Sequence, residues 1–138
     1  MTEHIVLRFD WDDVTNDRVT NILGQHARTM SDGAASWDAV TICIGGRAIC
    51  LSVEADTDQI EVSLGKEPCG DGWEPISSFL FAIGETLGWC WVGINSRGYK
   101  DSFTLAFGDV VPFALQPRCM FVAEASSLTC FDLTPHRR

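Results

Sequence analysis

Cationic side chains are scarce in this chain: ten Lys and Arg stand against nineteen Asp and Glu, for a formal charge of −9. A nucleic-acid face needs clustered Lys and Arg to displace phosphate counterions, so that class of partner is excluded. Histidine is scarcer still. The three residues His4, His26 and His136, two of them near the ends, argue against a Ser-His-Asp or Cys-His device and against a histidine metal centre. The phosphate-loop, dinucleotide, nucleophile-elbow and H-E-x-x-H patterns are all missing. No segment approaches the roughly 20 consecutive apolar residues of a membrane span, and the N-terminus lacks the basic region and apolar run of a secretory signal. These absences point to a cytoplasmic protein without a membrane partner. The six cysteines form no C-x-x-C pair and mostly sit among apolar neighbours, so they read as small buried hydrophobes rather than a disulfide framework or zinc site. Asp10, Asp12, Asp13, Asp56 and Asp58 lack the spacing of a calcium loop. Neither a metal nor a cofactor is implied.

What the chain does have is apolar mass. Its 138 residues, 46% hydrophobic with five Trp and eight Phe, suit one globular domain spanning 1–138 with a real core. Residues 4–11 alternate, with Ile5, Leu7, Phe9 and Trp11 on one side, as a half-buried first strand would. Over residues 16–30, Val19, Ile22, Leu23, Ala27 and Met30 fall at helical spacing, with Thr15 or Asn16 as N-cap and His26 beside the apolar stripe. Gly45-Gly46 between residues 40–44 and 47–54 marks a tight hairpin, with Val40, Ile42, Ile49, Leu51 and Val53 on one face. Asp56-Thr57-Asp58 turns the chain into a third strand over 59–64, and residues 66–74 read as an exposed connection. Ile76, Phe79, Leu80, Ile83 and Leu87 mark a second helix closed by Gly88. Pro112 and Pro117 make residues 108–117 irregular, and strands follow at 119–123 and 128–133. The expected fold is α+β: a single twisted antiparallel sheet of about six or seven strands packed against two helices.

Residues 89–107 read as one long hairpin at the centre of that sheet. Pairing Ile94 with Ser102 places Trp89, Trp91 and Gly93 on one face with Phe103, Leu105 and Phe107. Residues 95–101 are then the loop, in which Asn95 and Gly98 tolerate left-handed backbone angles.

The combination of Trp89-x-Trp91, Asn95-x-x-Gly98-Tyr99-x-Asp101 and Phe103-x-Leu105-x-Phe107, with Asp56-Thr57-Asp58 upstream, resembles a family of small bacterial proteins known only as a domain of unknown function. The resemblance covers roughly residues 35–133. It implies a shared fold and no activity, cofactor or catalytic set.

The densest polar chemistry lies in the 95–101 loop. Arg97 offers a planar fork of donors for a carboxylate or phosphate, and Tyr99 a stacking face with a polar tip. Asn95, Lys100 and Asp101 complete the group, and Trp91 stands on the strand leading into it. A purely structural turn, packed by Tyr99 with Asp101 bonding backbone amides, ranks first for this loop; ligand binding ranks second and catalysis third. No catalytic residue is assigned. Two functional readings follow. The first is a non-enzymatic protein-interaction module, of inhibitor, immunity or accessory type, that meets a protein partner or associates with itself. The alternative is a small-molecule anion binder or modest hydrolase, with Arg97 as anchor and Asp101 as base.

Overall fold

The Gly45-Gly46 hairpin forms as its pattern predicts. Both glycines take positive φ, 82° and 89°, and Ile42 pairs with Ile49 and Val40 with Leu51, all four buried. Cys43 and Cys50 are diagonal neighbours in that register and both are free thiols. In this computed structural model, which describes residues 5–29, 35–68, 70–108 and 116–133, the hairpin belongs to one of two antiparallel sheets rather than to a single sheet.

The strands run in chain order as β1 (Asn21–Gln25), β2 (Arg28–Thr29), β3 (Ala35–Trp37), β4 (Ala39–Cys43), β5 (Arg47–Glu54), β6 (Gln59–Lys66), β7 (Trp73–Pro75), β8 (Leu87–Ile94), β9 (Lys100–Phe107), β10 (Cys119–Glu124) and β11 (Ser127–Asp132). Sheet I has the order β6-β5-β4-β1-β7 and sheet II the order β2-β3-β11-β10-β9-β8. Their inner faces share one continuous core: Ile22, Ile42, Leu51 and Val62 from sheet I meet Leu87, Phe103, Phe121 and Leu128 from sheet II. This is a β-sandwich, and the expected α+β fold with two helices is overturned.

Both expected helices fail for identifiable reasons. Residues 16–30 contain Thr20, Asn21 and Gly24, weak helix formers, and the apolar set also fits a period of two: Ile22 and Gly24 are buried while Asn21, Leu23 and Gln25 are half-buried. The segment therefore runs as β1, then bends at His26, whose φ is 54°, and enters sheet II as β2. The return path bends at Asp38, between β3 of sheet II and β4 of sheet I. Strands that change sheets at a bend make the corners of such sandwiches. Here Asp38 fastens the corner, its carboxylate 3.1 Å from His26 Nδ1 and 2.7 Å from Arg28 and its N–H donating to the Gln25 carbonyl. His26 is thus an exposed corner residue and not part of a helical stripe. Met30 lies outside the described residues.

The second expected helix shrinks to a 3-10 helix, Ser77–Ala82, with non-helical angles at Phe79. Ile76, Phe79 and Ala82 are its buried positions, a spacing of three that suits 3-10 geometry, where side chains three apart eclipse. Its end is set by Gly84, φ 91°, and not by Gly88, which lies in β8. Phe79 packs edge-on against Phe121, at 5.3 Å between ring centres.

Residues 5–11 do not form the expected strand, and His4 lies outside the described residues. Leu7 makes one isolated parallel bridge to Val62, Val6 and Trp11 are buried while Ile5 is exposed, and the chain turns through a 3-10 helix, Trp11–Asp13, capped by the Asp10 carboxylate. Within the expected 66–74 connection, β7 pairs with β1 from Trp73 onward. The strands expected at 59–64, 119–123 and 128–133 are present as β6, β10 and β11. Most of the segment expected to be irregular, including Pro112, lies outside the described residues, as do Cys69 and the chain's last five residues.

Candidate interaction site

The long hairpin β8–β9 is present, but its register and place differ from expectation. Trp89 pairs with Ala106, Trp91 with Thr104 and Gly93 with Ser102, one residue away from the expected alignment, with irregularities at Leu87/Trp89 and Gly93/Ile94. Each such bulge adds a residue to one strand and re-aims the side chains beyond it. Phe103 and Leu105 therefore face the core opposite Val92 and Cys90, while Trp89 and Trp91 stand on the outer face among small residues. Nor is the hairpin central, since β8 is the edge strand of sheet II.

The result is an edge with large apolar side chains on display. Trp89 is 45% exposed, Trp91 38%, Val92 38% and Ile94 63%. The expected central placement conceals this exposure: it puts Trp89 on a heavily apolar face and Val92 and Ile94 on the other, small and weakly polar one. The small partners Ser102, Thr104 and Ala106, which leave room beside an outward indole, were the available signal. On the outer face, Trp91, Thr104, Met120 and Phe131 form one row across β8, β9, β10 and β11.

The start of β8 is covered. The Leu87 N–H donates to the Asp17 carbonyl, the Asn16 N–H donates to the Leu87 carbonyl, and the Trp11 indole donates to the Gly88 carbonyl. From Trp89 to Ile94, no backbone group bonds to any described residue outside the β8–β9 ladder.

The loop after β8 is organised by Asn95. Its Oδ1 accepts from the N–H groups of Arg97 at 2.9 Å and Tyr99 at 3.1 Å, and its Nδ2 donates to Asp101 at 3.2 Å. Asn95 N–H donates to the Tyr99 carbonyl and Gly98, φ 86°, closes the turn. The amide-bonding role expected of Asp101 is thus taken by Asn95, and Asp101 is held by it. Lys100 N–H donates to Gln59 Oε1, tying the loop to the start of β6. The Arg97 guanidinium makes no hydrogen bond or ion pair with another described residue. Asn95, Arg97 and Tyr99 therefore share one tight turn, Lys100 and Asp101 open β9 beside it, and Trp91 is set back along β8.

Other chemistry is sparse. Five cysteines are free thiols; burial pushes Cys90 up to about 11 and Cys130 up to about 12, and raises Cys43, Cys50 and Cys119 as well. Thiols held protonated in this way are poor nucleophiles and poor metal ligands. Among the described residues no group of three or more His, Cys, Asp or Glu side chains is placed to hold a metal ion, and no helix is long and apolar enough to cross a membrane.

The chain belongs to the family of unknown function DUF6334, whose model matches residues 1–137. No curated protein and no solved structure matches it.

Proposed function

We propose that this protein is a non-enzymatic protein-interaction module, of inhibitor, immunity or accessory type, whose contact surface is the exposed edge of β8 with the adjoining 95–101 loop. One observation carries the reading: five consecutive residues of a sheet edge, Trp89–Gly93, carry no charge, expose two indoles and leave the strand's outer side unpaired among the described residues. Exposed strand edges recruit other strands through backbone hydrogen bonds, and Trp is among the residues that most often dominate binding energy at protein contacts. The free thiols suit a reducing compartment such as the cytoplasm.

The test is the size of the protein in a gentle extract of cells that make it. A tagged chain migrating as a complex, and returning to monomer size when Trp91→Lys is introduced, supports the reading. A tagged wild-type chain that stays monomeric overturns it.

A further inference from the structure

The four sheet edges are not alike, and the contrast identifies the partner. β6 is covered at Val62, which exchanges hydrogen bonds with Val6 and Arg8, and carries Glu61 paired to Arg8. β7 has three residues and β2 two, with Arg28 of β2 bound to Asp38. Short strands, covering segments and charges are the devices by which soluble proteins keep edges from pairing. β8 has eight residues and, among the described residues, none of these devices beyond Gly88.

We infer, building on the interaction reading, that the partner of β8 is a second copy of this chain, joined β8 to β8 in antiparallel fashion about a twofold axis at Trp91 to give one continuous sheet. The strand is its own complement in that arrangement. The irregularities at Leu87/Trp89 and Gly93/Ile94 bracket a regular stretch, Trp89–Gly93, centred on Trp91. Under the twofold, Trp91 meets Trp91 of the second copy, Cys90 meets Val92, and Trp89 meets Gly93. A large side chain thus falls opposite the one residue that has none, while aromatic cross-strand pairing adds stabilisation at the axis. Gly93 cannot be filled from within, since a Cβ there would lie 2.0 Å from the Ser102 hydroxyl. Side chains of like parity pair with each other, so both ladders can close.

Charge favours the same occupant. Each copy carries −9, yet β8 has no ionisable side chain other than the Cys90 thiol, so two copies meet where their repulsion is least. A basic partner would be drawn to the acids elsewhere and would find none along this strand. The size is adequate for a weak dimer. With about 150–250 Å² for a whole aromatic side chain, the exposed parts of Trp89, Trp91, Val92, Ile94 and Tyr99 offer roughly 400–500 Å² per copy, and the strand backbone brings the total near the ~1,000 Å² at which specific interfaces begin.

Sedimentation velocity of the purified full chain from about 1 to 200 μM reads the inference directly. A concentration-dependent monomer–dimer equilibrium is expected, with Trp91→Lys and, separately, Val92→Lys weakening it at least tenfold while circular dichroism shows the sheets intact. A wild-type chain that is monomeric throughout, or a dimer that neither substitution weakens, overturns it. If the pure chain is monomeric but the extract complex persists and is dissolved by Trp91→Lys, self-pairing fails and the interaction reading stands. A monomer in both settings removes both.

Discussion

At Gly24 the fold turns on one missing side chain. Gly24 lies beneath Trp37, and a Cβ built there would come within 2.3 Å of the indole. Trp37 is buried at the end of β3, next to the Asp38 corner, so the ring has little room to move. Gly24→Ala is expected to cost about 1–3 kcal/mol, the usual penalty of overpacking a filled core, and to lower the melting temperature by several degrees. Gly65→Ala is the matched control, because its new methyl would meet only Cys50 Sγ at an ordinary 3.8 Å. Thermal denaturation of the two variants side by side checks the claim; equal melting temperatures would show that Trp37 does not pin the corner. The same residue explains part of what the sequence concealed. A glycine in the middle of residues 16–30 weakens a helix, but it also marks a strand where another group approaches closely, and only the position of Trp37 decides between the two.

Among the elements, hairpins were legible in the sequence to the extent that their turns fix the register. Gly45-Gly46 admits one tight turn, both flanks alternate cleanly, and the expected facing of Val40, Ile42, Ile49 and Leu51 holds. In β8–β9 the loop begins at Asn95 as expected but ends before Lys100, which already pairs with Ile94; the bulges at either end of Trp89–Gly93 change the count between loop and strand, and hydrophobic pattern alone cannot register an added residue. Pattern also assumes that indoles are buried, whereas an edge strand can present them. The candidate loop was legible as a cluster of residues, although Asn95's role as its organiser was not, because an Asn side chain chooses among nearby amides only once the turn exists. The β10–β11 hairpin offers a test of turn control. Glu124 pairs with Ser127, and the two residues between them, Ala125 and Ser126, have φ of 52° and 62°. That is the backbone of a primed turn, which Asn-Gly fits better than Ala-Ser. Replacing Ala125-Ser126 with Asn-Gly removes a left-handed penalty of roughly 1–2 kcal/mol per residue and gives back about 0.5–1 kcal/mol of glycine entropy, so a net gain of about 1 kcal/mol is expected, read as a higher urea midpoint at unchanged slope. The Ser126 N–H that donates to Asp58 is a backbone group and survives the change.

The whole molecule responds to pH and salt through groups spread across both sheets. Cys90, Cys119 and Cys130 lie on the inner side of sheet II, in register with Leu105 or Phe121. Burial raises the Cys90 and Cys130 thiols from 9.0 to about 11 and about 12. A thiol that holds its proton more tightly when folded contributes stability that is complete below pH 9 and is lost as the pH climbs through the folded value. The urea midpoint is therefore expected to fall from about pH 9 upward, and Cys130→Ala to fall less steeply than the wild type over that range. Parallel slopes would mean that the thiol does not couple to folding.

Salt separates an apolar self-contact from an ionic one. Two copies at −9 each repel over the whole approach, and the repulsion reaches about 30 Å at 10 mM salt but only about 8 Å at 150 mM. Since β8 contributes no ion pair to the proposed contact, screening removes an opposing force without weakening an attractive one. The dimer dissociation constant is then expected to drop about three- to tenfold between 10 and 150 mM NaCl, as the Debye length contracts, and to change little above that, when measured by sedimentation at fixed pH 7. A contact built on ion pairs between Asp or Glu and the chain's few Lys and Arg would loosen over the same range. Association that weakens with salt would thus move the interface away from β8 and onto the charged surface of sheet I, where Arg8–Glu61 and Arg47–Asp17 lie exposed.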